Sequence, residues 1–423
     1  MLPRPLHPTA QNDATRPPRV TVFSIRKIET HVSRACGYEF EDMIAEELDD
    51  AALLAPEVNQ VSRFMIRAKG NVSRHLPFAA KIGLGLKPAI PNKGCDLFFF
   101  SVAQPRDLSY LSLAKGWREN SRFAICWLQE LWAADIRRLG HRLDQLNSFD
   151  HVICPFYHTT EYLRARLSVP VTYMTWGTDT ALFNPFPNPP RRAIDICRIG
   201  EMTPETHKVL LTHADLTGKY YSYSTVKGVT TATSHRAHRH NYAGMLKRSQ
   251  YFITYLAKMA QKAERGAQEE FGLRYIEAIA TGAILLGDRP SNPAFDNYFG
   301  WEDAVIEAPY ASPAMLDVIK ALDADPARVE RARRRNIFEA LQRHDHLHRW
   351  EQILQIAGLE DLPQMAQRRT KLAELAAMAK TAPLEPSSPQ FSLATVWPSR
   401  DLASSLFERP GGIAATESRV SDL

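Results

Sequence analysis

The strongest constraint on the fold is a rhythm that the chain runs through twice. Short continuous apolar runs occur at residues 20–25, 96–102 (DLFFFSV), 122–128 (RFAICWL), 151–155 and 169–174, each followed by a more polar stretch of helical length. Parallel strands buried on both faces read as such runs, with helices supplying the crossovers. Between the first two runs, Met43, Ile44, Leu48 and Leu53 recur at helical spacing and predict a helix over 40–54. The rhythm stops at TWGTDTALFNPFPNPPRR, whose density of Pro and Asn marks a crossover or linker. It then restarts with a strand at 193–199 ending in Gly200, and further strands at 219–223, 251–256, 283–287 and 304–307. Helices are expected between them at about 204–214, 242–248 and 271–281. Two such α/β runs predict two Rossmann-like lobes, at 19–180 and 181–358, with a further helix over 359–380. Residues 1–18 and 381–423 have the composition of disordered segments.

Composition removes several function classes. With 423 residues, the chain has room for two or three domains that each bury a core. No apolar stretch reaches the roughly 18–20 residues needed to cross a bilayer, and the first residues lack the apolar segment of a secretory signal. Cys36, Cys95, Cys126, Cys154 and Cys197 are widely spaced and never form a CxxC pair. That argues against a disulfide scaffold or a Cys-rich zinc site, and for a reducing, cytoplasmic setting. The balance of 52 basic against 47 acidic residues, +5, is too mild to imply a nucleic-acid partner, and at most peripheral membrane contact is expected.

The most informative segment is EEFGLRYIEAIATG, residues 269–282, followed by the strand-like AILLGD. Gly272 at a helix start lets a ligand approach the backbone, where free N–H groups favour an anion such as a diphosphate. Glu269 precedes that terminus, Glu277 lies within the helix, and Arg274 shares the face of Glu277. Two acids placed this way suit two parts of one extended polar ligand. The plainer alternative is a pair of solvated helix carboxylates, with Glu269 serving the helix dipole.

The pattern E-x-F-G-L-x-x-x-E-A-x-A-x-G resembles the signature of the group 1 glycosyltransferases, GT-B enzymes that use nucleotide-sugar donors. The resemblance implies that Glu269 contacts the donor sugar and is the catalytic candidate, and that Glu277 binds the ribose. Phe271, Gly272 and Leu273 would offer N–H groups to the diphosphate, with Arg274 and Gly200 also on the donor side. WGTDTALFNP is similar to the family's crossover, carried by Gly177 as a turn, Asp179 as a cap, and Phe183 and Pro185. RHDHLHRWEQIL (343–354) resembles the terminal helix of a subgroup related to spore-maturation proteins, which also carries an Arg three residues before the second Glu.

The activity implied by this resemblance is sugar transfer from a UDP- or GDP-sugar to a glycan, lipid or protein acceptor. Retention of configuration, no cofactor and no catalytic metal are implied with it. One departure stands out. Where many members place Arg and Lys after the first donor-lobe strand, this chain reads IGEMTPETHK, with Glu201 at that place and only His207 and Lys208 nearby. The phosphate charge then falls to Arg274, Arg265 or the helix terminus. A binding module without turnover and a nucleotide-sugar epimerase therefore stand beside the transferase reading.

Other features are weighed on their chemistry. SHRAHRH (234–240) reads as a surface or phosphate-facing basic loop rather than a metal site, since no Cys or carboxylate adjoins its histidines. His344 and His348 share a helical face without a clear carboxylate, so no metal is expected there. ARVERARRRNIFEALQRH is a solvated basic face over a core of Val329, Ile337, Phe338 and Leu341. Glu130, between Trp127 and Trp132 at a strand's carboxyl end, is either an acceptor-side contact or part of a packed helix start.

Overall fold

The computed structural model describes residues 17–73, 75, 94–200, 203–225 and 230–386. The two segments expected to be disordered lie mostly outside these, as does Glu201. Among the described residues, eleven strands build two sheets. The first comprises β1 (Val20–Phe23), β2 (Ala51–Leu54), β3 (Cys95–Val102), β4 (Ser121–Leu128), β5 (His151–Cys154) and β6 (Val171–Tyr173). The second comprises β7 (Ile194–Arg198), β8 (Tyr221–Tyr223), β9 (Ser249–Thr254), β10 (Ile284–Gly287) and β11 (Ile306–Glu307).

All pairings are parallel, in the orders β2-β1-β3-β4-β5-β6 and β11-β10-β9-β7-β8. Both sheets thus start from an inner strand and reverse direction of growth once. The reversal falls between β1 and β3 in one lobe and between β7 and β9 in the other. Ligands of doubly wound sheets sit outside the carboxyl ends of the strands at that point. The α/β architecture of two Rossmann-like lobes agrees with the sequence reading.

Two local expectations give way. The helix predicted over 40–54 is shorter, Ala35–Met43 with a π-helical turn at Ile44–Leu48, and Leu53 belongs to β2 instead. AALL is a short edge strand, and its periodicity alone does not separate it from the end of a helix. SHRAHRH is not a loop: Ser234 caps a helix at His235–Lys247 by accepting from Ala237 N–H.

The first sheet is covered on both sides. Phe98 and Phe100 face one cluster with Phe23, and Phe99 faces the other with Phe40, Trp127 and Trp350. That second face is covered in part by the C-terminal helices His346–Ala357 and Pro363–Thr381, through Leu347, Trp350, Ile353, Met365 and Leu372. The sequence assigns residues up to 358 to the second lobe, yet the packing of His346–Ala357 is with the first sheet.

A buried charge cluster ties the crossover to these helices. Arg368 donates to Asp345 Oδ1 at 3.1 Å and Oδ2 at 2.6 Å, and to Asp179 Oδ1 at 2.5 Å. Asp345 caps the His346–Ala357 helix through Leu347 N–H and also accepts from Thr180 N–H and Oγ. Asp179 caps the short Thr180–Phe183 helix through Leu182 N–H, as the sequence implied. The Arg368 charge holds the Asp345 carboxyl well below its usual range in spite of burial, which acts the other way. Removing the cation would leave the buried Asp345 and the half-buried Asp179 without a counter-charge. Arg368→Met is therefore expected to cost about 3–5 kcal/mol, read as a lower urea midpoint.

Candidate functional site

The donor-side candidates fall on the helix Leu273–Thr281, whose N-cap residue Gly272 provides no side chain to occupy the first turn. A Cβ at Gly272 would meet nothing within 4 Å, so the space before the helix terminus is open. An open terminus of this kind presents unpaired N–H groups and the positive end of the helix dipole. It faces a cleft of about 1100 Å³ between the two sheets. Gly200, Gly272, Leu273, Arg274 and Glu277 all line it. Phe271 does not. Its ring is buried against Trp176, Phe295 and Phe299, so only its backbone is positioned toward the terminus.

Gly200 follows β7 with φ +100°, a conformation that L side chains avoid. A Cβ there would stand 3.4 Å from Arg274 Nε, so the glycine also lets the guanidinium lie against the backbone. Arg274 Nη1 donates to Tyr242 Oη at 2.6 Å, and its guanidinium is 5.3 Å from that ring's centre. Burial lowers the Arg274 pKa, but Tyr242 and Glu277 outweigh it and the net shift is upward. Arg274 therefore faces the cleft as a fixed cation.

Further cleft residues escaped the sequence reading. Arg198, at the end of β7, donates to Ile253 O at 2.8 Å and borders the same space. Its signal was present, as a charge inside the otherwise apolar run AIDICRI. Lys258, after β9, takes φ +54° and sets its ammonium 2.8 Å from Glu264 and 5.2 Å from the Trp132 ring centre. Arg265 is not among the lining residues.

Arg239 is the centre of the site's charge network. It donates from Nε to Glu39 Oε2 at 2.6 Å, from Nη2 to Thr178 Oγ at 2.8 Å, and from Nη1 to Glu277 Oε1. Glu277 is thus ion-paired and almost fully buried, not a solvated carboxylate. Along the same helix, His235 pairs with Asp42, and Arg236 with Asp42 and Glu46 of the first lobe, while Ser234, Ala237, His238 and Arg239 of SHRAHRH line the cleft.

Glu269 is placed differently from what the motif implied. Its carboxylate accepts from Ser291 N–H at 2.8 Å and Ser291 Oγ at 2.7 Å, which hold its pKa below the usual value, and it does not line the cleft. The neighbouring Glu270 is fully buried and accepts from Tyr157 N–H at 3.3 Å and His158 N–H at 3.4 Å, at the start of the Tyr157–Arg166 helix. Gln268 adds bonds to Ala133 N–H and Thr159 Oγ. The stretch before the donor helix is thereby fastened to the first lobe.

The cleft continues into a pocket of about 310 Å³ with an aromatic wall of Phe40, Trp127, Trp132, Phe156 and Trp176. Glu130 lines both spaces, accepting from Trp132 Nε1 at 3.0 Å. Gly177 borders this pocket, and its backbone φ is not in the left-handed region. Its use is close approach, since a Cβ would stand 3.1 Å from His346 Nδ1 and 3.2 Å from Asp345 O.

Residues 203–355, which hold most of these donor-side groups, match the family model described as glycosyl transferase-like. The match to the glycosyl transferase-like domain begins just after β7 and ends within the His346–Ala357 helix. Among solved structures, the chain is similar to a glycosyltransferase from Rickettsia africae ESF-5 at 10% identity, covering 80% of this chain and 97% of that one with a TM-score of 0.44. It is also similar to the Anabaena protein HepE, solved in complex with UDP-glucose, at 9% identity, covering 85% and 99% with a TM-score of 0.46. A comparison with curated proteins gives no match. Among the described residues, no helix is long and apolar enough to cross a membrane.

Glu270 makes a pH prediction. Burial is the largest influence and raises its pKa from 4.5 to about 7, against the four groups that donate to it. An acid raised on folding stabilises the fold fully below its unfolded pKa, and this contribution is lost as pH rises through the folded value. The loss amounts to at most about 3 kcal/mol between about pH 4.5 and 7. Glu39 is also pushed up to about 7 and Asp288 to about 6, so the wild type alone does not isolate the effect. Glu270→Gln is expected to flatten part of the fall in urea stability between pH 5 and 8.

Proposed function

We propose that the protein transfers a sugar from a nucleotide-sugar donor to an acceptor, with the donor held in the interlobe cleft. The observation that carries this reading is the open terminus of the Leu273–Thr281 helix facing the same space as Arg274, Arg198 and Glu277. A diphosphate suits the N–H groups and the helix dipole, and the ribose hydroxyls suit Glu277. Arg274 takes the part that the basic pair plays in the resembling family.

As the glycosidic bond breaks, positive charge develops on the sugar ring and negative charge on the leaving phosphate. Preorganised N–H groups and a guanidinium stabilise the latter without reorganising at the moment of reaction. The acceptor belongs on the side of the cleft beside Glu130, where Trp176, half-buried, is the aromatic side chain whose face a sugar can meet. Walls from both lobes serve to keep water from the activated donor.

A binding module without turnover is the second reading, and one observation favours it: Glu269 is bonded to Ser291 and away from the cleft. Transfer with Glu269 in contact with the sugar requires that bond to open.

UDP- or GDP-sugars are expected to raise the melting temperature, and Arg274→Ala to weaken binding of the nucleotide about tenfold, the loss of a charged hydrogen bond of about 1.4 kcal/mol. Glu277→Gln is expected to weaken it as well. No thermal response to any nucleotide sugar would overturn the donor assignment. Slow release of nucleoside diphosphate without acceptor separates the transferase from the binding module, which should show none. Glu269→Ala is expected to leave donor affinity within about twofold, because its partners are Ser291 groups outside the cleft lining; a large loss of affinity would show that the carboxylate reaches the donor.

A further inference from the structure

Three side chains unused by the donor reading converge at the junction of the crossover with the first lobe. Cys36 and Glu39 are three residues apart on one face of the Ala35–Met43 helix. His346 opens the His346–Ala357 helix. One ligand atom from each lies within 4.8 Å of the others, and all three residues are buried. We propose that Cys36, Glu39 and His346 bind one divalent transition-metal ion, with zinc the first candidate.

His346 is the independent observation. Its ring is 1% exposed, and neither Nδ1 nor Nε2 has a hydrogen-bond partner among the described residues. A buried imidazole without partners bears a desolvation cost that neighbours ordinarily offset. The ring is nonetheless fixed in place, stacked on Phe40 at 4.7 Å and 19°. Gly177 passes beside it so closely that a Cβ would stand 3.1 Å from Nδ1. The surroundings thus hold the ring and leave its nitrogens bare.

The other two groups have room for a metal bond. Cys36 Sγ donates to Gly177 O at 3.5 Å, a weak contact for a thiol. Glu39 Oε2 accepts from Arg239, while Oε1 accepts from Asp179 N–H at the long distance of 3.3 Å. Arg239 and Asp179 N–H thereby orient the carboxylate from behind, as outer partners of metal ligands do.

Sulfur, imidazole and carboxylate together are a zinc donor set, and three protein ligands leave a fourth position open. Cys36 and His346 both line the aromatic pocket, so the open position faces the cleft. On binding, the Cys36 S–H bond breaks, its proton goes to solvent and a sulfur–metal bond forms. Thiolate and Glu39 carboxylate then balance the ion's two charges, and Arg239 keeps Glu277 as its counter-ion. No step of sugar transfer depends on this ion, so the assignment stands apart from the donor reading.

The test uses the full-length, untagged chain stripped with a chelator and titrated with cobalt(II), then zinc. One equivalent of cobalt with a thiolate-to-cobalt charge-transfer band, displaced by zinc, is the expected result. Cys36→Ser should abolish the band, and Glu39→Gln and His346→Asn should each weaken cobalt binding at least about tenfold. Cys126→Ser, whose thiol is buried in β4, should leave the band unchanged. A folded wild type without the band, or a band that survives Cys36→Ser, overturns the proposal. Should a variant fail to fold, the wild-type stoichiometry and band decide it.

Discussion

Arg239 is a guanidinium almost fully removed from water, and it cannot shed its charge as a lysine could. A buried cation needs carboxylates, and its two come from opposite sides of the cleft: Glu39 from the first lobe and Glu277 from the donor helix. Thr178 of the crossover completes the ring of acceptors, and Phe183 presents its face 4.7 Å from the guanidinium carbon. Satisfying this one group therefore brings three elements to a point. His235 and Arg236 extend the contact along the same helix to Asp42 and Glu46. Gln268 and Glu270 form a second fastening on the stretch that leads into the donor helix.

The cleft between these fastenings has two chemically distinct ends. At the donor end, Arg274, Arg198 and an uncapped helix terminus concentrate positive potential between low-dielectric walls, which strengthens it for an anion. At the other end, the half-buried Trp176 shares the lining with Glu130, Arg34 and Lys258, above the buried rings of Trp127 and Trp132. In the proposed reading, Arg198 at a strand end and Arg274 on the donor helix stand in for the basic pair that is missing after β7.

The donor helix and its flanks were legible because their signals are local. Gly272, Arg274 and Glu277 lie within a single helix, and helical geometry alone puts Arg274 and Glu277 on one face. Strand positions were legible for a similar reason: residues 97–100 and 124–128 are buried on both sides of the sheet and are apolar throughout. β2 was not, because AALL at a sheet edge has no pattern distinct from a helix end. SHRAHRH was misread as a loop because the acids that neutralise it, Asp42 and Glu46, sit in the other lobe. The motif that points Glu269 toward the sugar fixes where the residue stands in the sequence; only the fold adds that its carboxylate accepts from Ser291 in the next loop.

By itself, the sequence determined two parallel α/β lobes, the crossover between them and the helix at whose terminus an anion can sit. Each follows from periodicity, from Pro and Asn punctuation, or from residues within one helical turn of each other. Only the tertiary structure decided which charges meet: Arg239 with Glu39 and Glu277, Arg368 with Asp345 and Asp179, and Cys36 beside Glu39 and His346. Apart from Cys36 and Glu39, which share one helical turn, those partners are far apart along the chain, and no local pattern encodes their distance. They are joined because burying a charge or a ring nitrogen is costly, and the folded chain meets that cost wherever a complementary group can be brought near.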